Sequence, residues 1–114
     1  KFPTSVEAVS EKHDGNYYPA KSRIVFEFPA LDGRPACKMI WYDGGNVPPK
    51  ELLHGEKMTT SGLLLIGDKG SLYSPDDYGG SWVLLPKENF VDVKNPEPTL
   101  PRSPVPSITR ASAA

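Results

Sequence analysis

The sequence contains one cysteine, two histidines, a net charge of only -1 and no long apolar run. Each shortage removes a class of function. With Cys37 alone, no disulfide can form within the chain and no cysteine-based zinc site can be built. A lone cysteine in a strand is ordinarily a small apolar residue. His13 and His54 stand at no useful ligand spacing, so a dedicated metal site is not expected. Asp76-Asp77 lacks the alternating oxygen donors and closing glutamate of a calcium loop, and reads as a turn. Thirteen Lys and Arg balance fourteen Asp and Glu, which argues against duplex nucleic acid or an anionic membrane surface as a partner. No segment approaches the roughly 20 apolar residues of a membrane-spanning helix. The chain opens on Lys1 rather than methionine, so a cytoplasmic location is only mildly preferred and export stays open.

Catalytic signatures are equally scarce. There is no G-x-S-x-G elbow and no Ser/His/Asp or Cys/His spacing that argues for a nucleophile. Gly67-Asp68-Lys69-Gly70 lacks the remainder of a phosphate loop, and no helix follows it. It reads as a hairpin turn with positive φ near Gly70.

What is plentiful is proline and glycine, 13 and 10 of 114 residues, against roughly 12% for the two in an average protein. Proline interrupts helices and central strands, so the composition points to short strands and ordered loops. Alternation places strands over 5–10, 22–28 and 37–42. Ile24, Phe26 and Phe28 share one face of the second, where burial is expected; Arg23, Val25 and Glu27 share the other. Asp32-Gly33 marks the hairpin turn between the second and third strands, which must run antiparallel because their connection is short.

A long excursion follows, with one helical turn expected at 49–53 behind Pro48-Pro49. Residues 62–66 are apolar without alternation, which predicts a strand covered on both faces. Strands at 71–74 and 82–85 come next, then an edge strand or extended segment at 90–93. From Asn95 onward, prolines recur among Ser, Thr and Ala, and residues 95–114 read as an extended or disordered tail.

The fold expected is mainly β: an open, mostly antiparallel sheet with long loops over 1–94 and an extended Pro-rich tail. Such a sheet must hide at least one face, and no helix here is long enough to cover it. Cover is expected from the loops, from another copy, or from polypeptide outside this sequence. The candidate contact residues are Tyr17, Trp41, Tyr42 and Asp43. Aromatic rings stack on sugar or nicotinamide faces, and an aspartate beside Gly44-Gly45 can reach a hydroxyl; the plainer alternative is a core Trp41 and a simple strand exit.

Several segments, taken in order, carry a resemblance. They are Pro3-Thr4-Ser5-Val6-Glu7-Ala8, the run Tyr18 to Ala30, Trp41-Tyr42-Asp43-Gly44-Gly45 with Pro48-Pro49 and Glu51-Leu52-Leu53, and the hairpin Leu63 to Gly79. Over about Phe2 to Arg102 the chain resembles the C-terminal sheet domain of the Gfo/Idh/MocA oxidoreductases, in a planctomycete-type branch. The resemblance implies an NAD(P)-dependent parent acting on a sugar or related hydroxy compound. It also implies a nucleotide-binding domain as partner and homo-oligomer contacts through the sheet. The family's glycine-rich fingerprint, Glu-Lys-Pro motif and catalytic helix are missing from this sequence, so it implies no catalytic residue here and a chain inactive alone. The tail from Val105 onward departs from the family pattern. A stand-alone carbohydrate-binding or assembly module is the alternative.

Overall fold

The computed structural model describes residues 2–100, which form six strands in two separate three-stranded antiparallel sheets. The first sheet contains β1 (Ser5–Ser10), β2 (Ser22–Phe28) and β3 (Cys37–Asp43), in that order. The second contains β4 (Leu63–Ile66), β5 (Ser71–Ser74) and β6 (Val83–Leu85). The chain is thus mainly β and open.

The first sheet follows the alternation of its sequence. Its register aligns Val6 with Phe26 and Met39, and Ala8 with Ile24 and Trp41. With Phe28 opposite Cys37, the middle of one face is apolar, and the Ser10–Ser22–Asp43 row closes it at one end. The other face carries Glu7, Arg23, Glu27 and Lys38, with Lys38 Nζ 3.1 Å from a Glu27 carboxylate oxygen. The Arg23 guanidinium lies 5.9 Å from the centre of the Tyr42 ring. Leu31 and Arg34 bridge across the Asp32-Gly33 turn, where Gly33 has φ 73°.

Burial on this sheet departs from expectation. Ile24, Phe26 and Phe28 are only half-buried, whereas Val25 on the opposite face is buried. The physical reason is that Val25 sits mid-strand between Glu7 and Ile40, flanked by long side chains. The larger residues face an uncovered side: Val6, Met39 and Trp41 are 56%, 47% and 57% exposed.

The second sheet has the only buried hydrophobic cluster among the described residues. Leu53, Tyr73 and Leu85 form it, with Met58, Leu64 and Val83 packed against it. Leu53 comes from the 3-10 turn Lys50–Leu53, the helical turn expected after Pro49. The long 44–62 excursion therefore covers one face of the second sheet. Residues 62–66 are not covered on both faces as their unbroken apolarity predicts: Leu63, Leu65 and Ile66 are 51%, 54% and 62% exposed. β4 is an edge strand with cover on one side alone, and a run of apolar residues cannot tell that position from a central one.

Trp82 lies outside the last strand, and 90–93 is neither strand nor continuous extended chain. A 3-10 turn, Lys87–Asn89, precedes it, and Val93 N–H returns to the Phe90 carbonyl at 3.1 Å. Residues 95–100 carry no helix or strand and are exposed; the rest of the expected tail, 101–114, lies outside the described residues.

Candidate functional site

β3 sets the geometry of the contact candidates. Successive side chains on a strand point to opposite faces, so Trp41 and Tyr42 cannot line one site. Trp41 sits on the apolar face beside Ile24. Tyr42 sits on the charged face with Arg23 against its ring, a cation–π arrangement. Asp43 shares Trp41's face, one pleat further along. Its Oδ1 accepts the Gly44 N–H, and Gly44 then turns the chain at φ 65°. Tyr17 belongs to the loop before β2 and is 69% exposed. The four residues therefore resolve into Trp41 and Asp43 on one surface, Tyr42 on the reverse of the sheet, and Tyr17 in the loop before β2.

Trp41, at 57% exposure, is not a core residue. Its indole stands on an apolar plane with Met39 and Ile24, beside the Ser22–Asp43 row. Asn46 Nδ2 donates to the Ser22 carbonyl at 2.9 Å and fixes the exit of β3 against the start of β2. The surface is flat, apolar and bordered by one carboxylate. It suits contact with another apolar face or with the face of a ring.

A second ordered feature escapes motif reading. Asp76 organises the loop after β5: its carboxylate accepts the N–H groups of Tyr78, Gly80 and Ser81 at 2.9, 3.0 and 3.1 Å, and the Ser81 hydroxyl at 3.2 Å. Those donors, led by the Gly80 N–H, hold the carboxyl below its ordinary range. The loop presents Tyr78 at 95% exposure. The Asp-Asp pair signalled a turn, but the number of donors converging on Asp76 depends on backbone geometry. Asp14 is a smaller example, accepting the Asn16 N–H at 3.0 Å and lowered chiefly by that bond.

The Gly67–Gly70 turn leads into strand β5, not a helix, and the Gly67 N–H is taken by the Gly70 carbonyl at 2.9 Å. This turn does not fit a dinucleotide pyrophosphate, which needs free N–H groups at a helix start. Among the described residues, no three His, Cys, Asp or Glu gather where they could hold a metal ion, and no helix is long and apolar enough to cross a membrane.

No family model, curated protein or solved structure matches this chain.

Proposed function

We propose that this chain is the sheet portion of a larger NAD(P)-dependent oxidoreductase of the Gfo/Idh/MocA type, acting on a sugar or related hydroxy compound, and that it has no catalysis of its own. The observation that carries the reading is the uncovered apolar face of the first sheet. Its two cross-strand rows, Val6–Phe26–Met39 and Ala8–Ile24–Trp41, contain no polar side chain. A monomeric protein seldom leaves so continuous a patch in water. Covering it with other polypeptide, a nucleotide-binding domain or a second sheet, supplies the layer that a single sheet lacks.

Calorimetric titration of the chain with NAD and with NADP tests the division of labour. Neither cofactor is expected to bind; tight binding of either overturns the inactive-alone reading. Trp41 reports on the cover. Its fluorescence is expected to be readily quenched by acrylamide in the isolated chain and protected in the complete enzyme.

One observation favours a second reading, a stand-alone carbohydrate-binding module: Trp41 is exposed beside Asp43 on one surface. Glycan binding that disappears in Trp41→Ala would establish that reading in place of the first. Binding that survives the substitution removes it.

A further inference from the structure

We infer that the free edge of β4 is a self-pairing surface, and that two copies of this chain join through it, β4 against β4, into one continuous six-stranded antiparallel sheet. The inference does not depend on the enzyme reading, and it concerns the edge of the second sheet rather than the face of the first.

The backbone shows which groups are free. Gly67 N–H donates to the Gly70 carbonyl, so 67 and 70 form a hydrogen-bonded pair in the β4–β5 register. Such pairs alternate along an antiparallel ladder. Leu65 with Leu72, and Leu63 with Ser74, therefore exchange bonds with β5. The N–H and C=O groups of Leu64 and Ile66 point away from β5, to the outer side of β4. Among the described residues, no hydrogen bond takes up these outward groups.

The edges also differ in protection. β1 carries Glu7, and β3 carries Lys38 and Asp43; charges along an edge oppose annealing to another sheet. β6 is three residues long and runs into Pro86. β4 has no charge, no proline and no polar side chain, and Leu63, Leu65 and Ile66 are each more than half exposed.

The occupant follows from complementarity. A two-fold axis through Leu64, normal to the sheet, sets Leu64 against Leu64 of the second copy and Ile66 against Gly62 of the second copy. In this register the Leu64 N–H and C=O meet those of Leu64 in the second copy, giving two main-chain hydrogen bonds from strand residues alone, while Ile66 meets Gly62, which lies outside β4 with φ 151°. Side chains stay on matching faces, because paired residues have the same parity. Leu63 lies opposite Leu65 of the second copy, extending the Leu65–Leu72–Leu84 row across the junction. The first charge beyond the strand, Asp68, falls opposite Thr60, so no like charges meet.

Sedimentation across a wide concentration range tests the pairing, with circular dichroism as the check on folding. A concentration-dependent dimer is expected. Leu65→Lys, at an exposed position, is expected to weaken it by about tenfold or more. A covalent test covers the case in which that variant unfolds. In a Cys37→Ser background, Leu63→Cys with Leu65→Cys places thiols in non-hydrogen-bonded cross-pairs, whose Cα separation of about 4.5 Å suits a disulfide. Mild oxidation is expected to yield a covalent dimer from the double variant and none from Leu63→Cys alone. A strictly monomeric chain, a chain without strand signal, or a double variant that fails to cross-link overturns the inference. A dimer abolished by Trp41→Lys and untouched by Leu65→Lys also overturns it, while leaving the proposed function standing.

Discussion

The Tyr73 hydroxyl donates to the Lys57 carbonyl at 3.1 Å, with the Thr59 hydroxyl oxygen 3.0 Å away. This contact ties the long excursion after β3 to the middle of the second sheet. The ring is buried, so its single polar atom is spent on the loop that covers it. Removing that atom leaves the packing and deletes the tie. Tyr73→Phe is expected to cost about 1 kcal/mol in denaturant unfolding, with the largest rise in amide exchange over 57–61.

Leu53 is the apolar half of the same attachment, 1% exposed and clustered with Tyr73 and Leu85. Leu53→Ala removes three buried carbons that the 3-10 turn cannot replace. A loss of about 2–5 kcal/mol is expected, a large part of a small domain's stability. Leu63→Ala, at a half-exposed position, serves as the contrast, with an expected change within about 0.5 kcal/mol. Equal effects in urea titrations would show that the second sheet is not anchored through Leu53.

Gly44 is confined twice over. It has φ 65°, and a Cβ there would lie 1.8 Å from the Ala20 carbonyl oxygen. The obstacle is backbone, so relief requires moving the loop before β2. Gly45 has φ 87° with open space around it. Gly44→Ala is expected to destabilise the first sheet by at least about 2 kcal/mol, and Gly45→Ala by about 1 kcal/mol from backbone strain alone. Thermal unfolding of the two variants side by side measures the difference.

Asp76 gives the loop after β5 a pH dependence. Its carboxyl is held below the ordinary aspartate value of 3.8 by the N–H groups of Gly80, Tyr78 and Ser81. A depressed folded-state value stabilises the loop above the unfolded value and is lost as pH falls through the folded one. Amide resonances of Tyr78, Gly80 and Ser81 are therefore expected to move only at a pH below the ordinary aspartate value of 3.8. Asp76→Asn keeps an acceptor without the charge and is expected to flatten that acid response. An unchanged profile in the variant would assign the response to another group.

The strands were readable because each rests on a local rule. Alternation at 22–28 and proline at 29 bound β2; Asp32-Gly33 turns the chain into β3; Gly67 and Gly70 bracket the second hairpin. The proline before 50–53 allowed one helical turn and no more. Burial was less readable. Phe26 is a stronger core residue by type than Val25, yet Val25 is the buried one, because burial depends on what covers a face and alternation reports only which residues share it. The same limit applies to Leu63–Ile66, whose apolarity is the same at an edge as in a centre. Of the candidate site, the separation of Trp41 from Tyr42 was already implicit in their adjacency on a strand; the donors converging on Asp76 had no signature beyond two aspartates before a glycine.

By itself the sequence determined the strands, their turns and the two-sided character of the first sheet, since steric limits on φ and ψ and the two-residue repeat of a strand act between near neighbours. Only the tertiary structure decided that the strands divide into two sheets, that Leu53 anchors the long loop, and that Trp41's face and β4's outer edge are left open. Those outcomes depend on contacts between residues distant in the chain, where the free energy of burial is shared among segments that no local pattern connects.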